Sequence, residues 1–211
     1  MKLSRPLAAL AALVLGSGTL WAMDNPLPKL KIDEYRLSNG LTVFLLEDHS
    51  APTVAVNINY MVGSKDEKPG RTGFAHLFEH MMFQASGHRP GLYINAIQEI
   101  GGAVNGGTNS DRTRYWEVVP AGYLERALWL EADRMGYLLD ALDKARLDNQ
   151  ISVVQNEKRQ NYDNRPYGLV REKIAAVLYP DNHPYHWLTI GSMADLSASS
   201  VDDVKEFFRA Y

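Results

Sequence analysis

Apolar and polar positions change period several times along this chain, and the changes mark its elements. Ala51–Gly63 alternates: Val54, Val56, Ile58 and Tyr60 fall on one face, Ala55, Asn57 and Asn59 on the other. A period of two predicts a half-buried strand. Upstream, Asn39-Gly40 stands between apolar residues, which predicts a hairpin turn leading into a strand at Leu41–Glu47. Thr113–Val119 alternates too and predicts a strand ended by Pro120.

Other stretches carry helical spacing. In Thr72–Ser86, Phe74, Ala75, Leu77, Phe78, Met81, Met82 and Phe83 wrap nearly all the way round, as in a buried helix. Thr72 is its expected N-cap and Gly87 its expected stop. The polar loop Ser64–Arg71 delivers the chain to it. Leu92–Ile100 predicts a short helix stopped by Gly101-Gly102. Ala121–Leu139 is amphipathic through Leu124, Ala127, Leu128, Leu130, Ala132, Met135 and Leu138. Ala145–Tyr162 carries the stripe Leu147, Ile151, Val154, with Glu157 at the edge of that face. Val170–Leu178 predicts a short helix, residues 180–184 a loop, and Val201–Tyr211 a last helix capped by Ser199 or Ser200.

A chain of 211 residues allows one domain, or two small ones, with ample core. The net charge of −3 gives no basis for nucleic-acid binding or a polybasic membrane contact. There is no cysteine, which excludes disulfides, thiolate zinc sites and a cysteine nucleophile, and leaves histidines and carboxylates as metal ligands. Met1–Ala22 reads as a secretory signal peptide: Lys2 and Arg5, then the apolar run Leu7–Leu15, then Gly16, Ser17 and Gly18 before Ala22. The run falls short of the roughly 20 residues a bilayer span needs. Export to a periplasm or the exterior is expected, with no stable membrane span after cleavage; an uncleaved anchor is the alternative. The segment Asp24–Lys31 is a linker.

The chemistry concentrates in His76-Leu77-Phe78-Glu79-His80, an H-x-x-E-H pattern. On a helix His76 and His80 leave the same face one turn apart, with Glu79 beside them. Such a pair suits a divalent cation such as zinc, and the carboxylate can take a proton from water on the metal. A purely structural histidine pair has the same spacing. Ala103-Val104-Asn105-Gly106-Gly107-Thr108 is small and glycine-rich, either a place where another backbone approaches closely or a weak edge or bulge.

From Val62 to Glu157 the chain resembles the insulinase/pitrilysin family of inverted-motif zinc metallopeptidases. The resemblance rests on Gly63-Ser64-Lys65-Asp66-Glu67, Thr72-Gly73-Phe74-Ala75 and Glu79-His80-Met81-Met82-Phe83, and on Asn105-Gly106-Gly107-Thr108 with Asp111-Arg112-Thr113-Arg114-Tyr115. It extends to Val153-Val154-Gln155-Asn156-Glu157. It implies His76, His80 and Glu157 as ligands of one zinc ion and Glu79 as catalytic general base. It implies that Ala103, Val104, Asn105, Gly106 and Gly107 bind a peptide substrate as an added strand. It implies an α+β fold, an antiparallel-rich mixed sheet backed by helices. Residues 23–211 would then be the N-terminal zinc peptidase domain, incomplete at its carboxyl end, completed by a second homologous domain or a paralogous partner chain. The activity implied is that of a zinc metalloendopeptidase acting on short or unfolded polypeptides. The alternative is a non-catalytic or partner-dependent peptide-binding subunit. Two positions depart from the family pattern: Gln150 stands where a second Glu is common, and N-G-G-T replaces N-A-x-T, which predicts a looser edge strand.

Overall fold

The computed structural model describes residues 29–211, so the signal-like segment Met1–Ala22 lies outside the described residues. Among them, no helix is long and apolar enough to cross a membrane. The chain divides into two units, one ending at Ser50 and the other running from Ala51 to Tyr211.

The first unit is an antiparallel hairpin of β1 (Ile32–Arg36) and β2 (Thr42–Leu46), with Ile32 opposite Leu46. The Gly40 N–H donates to the Leu37 carbonyl at 2.9 Å, and Gly40 takes the left-handed conformation at φ 93°. Asn39 keeps a negative φ. The hairpin expected from Asn39-Gly40 therefore forms, but through a longer loop in which only the glycine needs the left-handed region.

The second unit holds the sheet β3 (Thr53–Tyr60), β4 (Ala103–Thr108) and β5 (Thr113–Pro120), ordered β3-β5-β4 with every pairing antiparallel. Alternation does what it predicts: Thr113, Tyr115, Glu117 and Val119 are buried, while Arg114 and Val118 are exposed. One face packs Val56 and Val119 against Tyr93, Ala96 and Ile97 of helix α2 (Tyr93–Gln98) and Ala127 and Leu130 of α3 (Leu124–Tyr137). A second core joins Phe74, Leu77 and Met81 of α1 (Phe74–Met81) to Leu147, Ile151 and Val154 of α4 (Lys144–Lys158). Helices α5 (Val170–Leu178), α6 (Met193–Ser197) and α7 (Val201–Ala210) follow. Ser200 caps α7 through a reciprocal bond with Asp203, as expected. Helix α6, only five residues long, is too short to carry a periodicity that the sequence could announce. The α+β class thus holds.

Two expectations about the ends of α1, and one about the loop before it, are corrected. Thr72 does not cap α1; its hydroxyl donates to Asp195 at 2.6 Å, and Gly73 occupies the cap at φ 84°. The orphan N–H groups go instead to the buried Glu67 carboxylate, which accepts from Gly73 at 3.1 Å and Ala75 at 2.8 Å. A side chain on Gly73 would meet the Ile190 carbonyl at 2.8 Å, so close backbone packing fixes this entry. Gly87 does not stop the helix either: α1 ends at Met81, and the Gly87 N–H bonds the Tyr137 carbonyl. The polar stretch Ser64–Arg71 is not wholly a loop, since Ser64–Asp66 forms a turn of 3₁₀ helix.

Helix α3 turns differently from its apolar stripe. Leu124, Leu128 and Ala132 are exposed, whereas Glu131, Asp133 and Arg134 are buried. The charged residues can go inside because they are paired. Arg134 Nε donates to Glu131 at 2.8 Å and its guanidinium lies over Tyr93 and Tyr115, 4.1 and 4.4 Å from their centroids.

Candidate metal centre

Helix α1 sets His76 and His80 one turn apart, with ring centroids 4.8 Å apart. The apolar seam between α1 and α4 brings the end of α4 to the same place. Glu157 Oε2 lies 3.7 Å from His76 Nε2 and 3.5 Å from His80 Nε2. One donor atom from each of the three residues lies within 4.8 Å of the others, and they are the one such group among the described residues. Donors bound tetrahedrally at about 2.0–2.1 Å stand about 3.3–3.4 Å apart, so this spacing fits a divalent cation. Immediately after α4 the backbone widens into the π turn Arg159–Asp163, so the expected helix through Tyr162 keeps α-geometry only to Lys158. Such turns often mark functional positions.

The electrostatics suit a cation. Burial, then the neighbouring His80, holds the His76 imidazole below its usual range, so its ring stays neutral at neutral pH. The hydrogen bond with His80 holds Glu157 below the usual carboxylate range, against its burial. Two imidazoles and one carboxylate are a donor set of the kind that zinc takes. The buried His76 Nδ1 has no hydrogen-bond partner among the described residues. Gln150, buried on α4 two turns before Glu157, shares its side of the helix.

Glu79 stands outside the donor group. It is 8% exposed, and its Oε2 accepts a 2.5 Å hydrogen bond from the Thr108 hydroxyl. Burial raises its pKa, and the Thr108 bond works against that rise.

Thr108 ends β4, an edge strand that pairs only with β5 among the described residues. Ala103, Asn105 and Gly107 alternate with Val104, Gly106 and Thr108, and the second set turns toward α1 and its exit. A Cβ on Gly106 would meet the Phe83 ring at 3.0 Å. The strand is therefore packed tightly there, and the expected looseness from N-G-G-T is not what the glycine provides. The motif by itself assigns Thr108 no role. The alternation of an edge strand is the signal that puts it on the same face as Gly106.

Two of the remaining histidines make local polar contacts. His88 is exposed but its Nδ1 lies 2.6 Å from the buried Asp133, and His186 Nδ1 lies 2.8 Å from the Tyr179 carbonyl.

A sheet backed by helices, with an inverted His-Glu-His helix facing a second carboxylate, defines a class of metallopeptidase fold. The chain belongs to the insulinase family, peptidase family M16, whose profile matches residues 42–186. It is 32% identical over 183 residues to zinc protease PqqE of Helicobacter pylori, covering 86% of this chain and 40% of that protein. It is 30% identical over 195 residues to the peroxisomal insulin-degrading enzyme-like 1 of Arabidopsis thaliana, covering 87% of this chain and 20% of that one. Among solved structures, a protease from Helicobacter pylori superposes with a TM-score of 0.81 at 31% identity, covering 86% of this chain and 44% of that one. Pitrilysin superposes with a TM-score of 0.75 at 24% identity, covering 88% and 20%. The chain thus spans less than half the length of each of these relatives.

Proposed function

We propose that this chain forms the metal-binding half of a zinc endopeptidase site that hydrolyses short or unfolded polypeptides. The observation that carries the reading is the convergence of His76, His80 and Glu157 at metal-ligand spacing beside the buried Glu79 carboxylate. His76, His80 and Glu157 would hold one zinc ion. When bound, zinc acidifies water and polarises a scissile carbonyl. Glu79 takes the proton of the attacking water and returns it to the departing amine. Ala103–Gly107 offers the free edge of β4 to an extended peptide, whose backbone would pair with it as an added strand. A second homologous domain or a partner chain would close over the peptide. Export, read from Met1–Ala22, belongs to the same proposal.

Metal content and peptide cleavage, measured on one preparation of the complete natural protein, test this. About one zinc per chain is expected by the three-ligand rule, with cleavage of an unfolded peptide abolished by chelation and restored by zinc. His76→Ala, His80→Ala and Glu157→Ala should each lose the metal. Full retention in Glu157→Ala removes that residue from the site. Stoichiometric zinc without cleavage favours a binding subunit instead.

A further inference from the structure

Thr108 lies outside the metal donor group, and its side chain turns away from the outward face of β4 formed by Asn105 and Gly107. Its hydroxyl nevertheless donates to Glu79 Oε2 at 2.5 Å, the length of a strong bond to a carboxylate. Among the described residues it is the only side chain hydrogen-bonded to Glu79. One carboxylate oxygen is thereby held at a fixed place beside β4.

Both ends of this bond are built on fixed elements. Thr108 is paired with Thr113 in the ladder, and the Thr113 hydroxyl is itself bonded to the Val62 carbonyl at 3.0 Å. The following turn is closed by Asn109 N–H to the Arg112 carbonyl at 3.0 Å. It is pinned from outside by Ser64 and Lys65 N–H groups at 3.2 and 2.9 Å. A Cβ on Gly63 would meet the Asn109 carbonyl at 2.4 Å, so the two backbones are in direct contact. Two residues earlier, Gly106 is packed against Phe83. On the other side, α1 is locked by its fully buried Leu77 and by the Glu67 carboxylate at its start. A β-branched hydroxyl with few χ1 choices, on a strand held by these contacts, is a stiff donor. A glutamate has three side-chain torsions, and proton transfer needs its carboxylate within hydrogen-bond reach in one orientation.

We propose that Thr108 is a positioning residue that holds the Glu79 carboxylate in its proton-accepting orientation, so that the peptide-docking strand and the general base form one rigid unit. The inference rests on the peptidase reading above. It adds a residue that acts on the rate of proton transfer through Glu79, rather than on metal or peptide binding.

The test uses Thr108→Val, which keeps the branched shape and removes the donor, and Thr108→Ser, which keeps the donor. Both are made in the complete natural protein, loaded with zinc, with an unfolded peptide as substrate. Thr108→Val should lower kcat about 10–100-fold, the usual effect of removing a supporting partner, with zinc content unchanged. KM should stay within about twofold, because ground-state binding is not what is removed. Thr108→Ser should restore most of the rate. In a Glu79→Gln background Thr108→Val should cost nothing further, since the two act as a unit. Crystal structures should show the Glu79 carboxylate displaced in Thr108→Val and in place in Thr108→Ser. A wild-type kcat in Thr108→Val, an equal loss in Thr108→Ser, or an effect confined to KM would each overturn the proposal. If the wild-type protein binds zinc and cleaves nothing, the peptidase reading falls. The crystal structures then decide alone: a Glu79 carboxylate unmoved in Thr108→Val rejects the positioning role.

Discussion

Two clusters of titratable and charged side chains flank the exit and face of helix α1, and they differ in how their charge is met. At the exit, Arg134 is fully buried, paired with the buried Glu131, stacked on Tyr93 and Tyr115, and its Nη1 reaches the Met82 carbonyl at 3.5 Å. Its positive charge is part of the chain. On the face, His76, His80 and Glu157 present two imidazoles and a carboxylate whose side chains are 13%, 21% and 36% exposed. On the function proposed above, this group would take its positive charge from a bound metal ion. The first cluster is closed, which suits a structural role; the second is partly exposed, which suits the chemistry proposed for it. The comparison teaches that burying charge does not itself mark a functional site. What marks it is a donor set lacking an internal counter-charge and reachable from solvent.

The largest expected effect sharpens the chemical side. Glu79→Gln keeps the shape of the side chain and removes its basicity. Peptide hydrolysis should fall by roughly 10²–10⁴-fold, the size of a general-base contribution, while zinc content stays at the wild-type level. Stability should change little, because a Gln oxygen still accepts from Thr108. Wild-type cleavage by zinc-loaded Glu79→Gln would leave the open cluster as a binding site without the proposed chemistry.

The next effect belongs to the closed cluster. Arg134→Met leaves the Glu131 carboxylate buried without its cation, which should cost about 3–5 kcal/mol of stability. Adding Glu131→Leu should recover most of that loss, since an apolar pair of similar size avoids burying either charge. His80→Ala should behave in the opposite way, losing the metal while costing the metal-free protein much less. Urea unfolding of the three metal-free variants makes the comparison. A stable Arg134→Met would erase the distinction between the clusters.

The two clusters are not equally legible in the sequence. The open one is, because ligands one helical turn apart leave a local spacing, and the family resemblance supplies Glu157 from a distant segment. The closed one is not. Charged residues on an amphipathic helix read as its solvated face, so the periodicity of α3 points to a stripe through Leu124, Leu128 and Ala132, which the structure exposes. Only the tertiary meeting of Glu131, Arg134, Tyr93 and Tyr115 reverses that reading. The cap of α1 fails for the same reason: Thr72 has the right residue type, but Asp195 claims it, and Glu67 reaches the helix start from six residues upstream of Gly73. Strands fare better, because alternation on β3 and β5 survives even with a glutamate inside, at Glu117.

Glu117 supplies the smallest and most discriminating test of the closed cluster. It is fully buried on β5, accepts from the Tyr93 hydroxyl at 2.6 Å, and its Oε1 has no partner among the described residues. Burial pushes its carboxyl from 4.5 up to about 7, opposed by the Tyr93 bond and by Arg134. The folded state then holds a proton that the unfolded chain has released across that interval. Stability from this group is fully present below about pH 4.5 and is lost as pH rises through about 7. A tenfold change in proton affinity corresponds to about 1.4 kcal/mol, and relaxation around the charge reduces the whole effect to on the order of 1–2 kcal/mol. Glu117→Gln has no proton to lose, so its stability relative to wild type should rise by that amount between pH 5 and pH 8. Glu67, also pushed up to about 7, titrates in both proteins and cancels in the difference. Any change in hydrogen bonding to Tyr93 shifts the whole difference curve without giving it a slope. A flat difference would mean that Tyr93 and Arg134 already compensate the ionised carboxylate, which would extend the closed cluster from an ion pair to a network that includes the sheet.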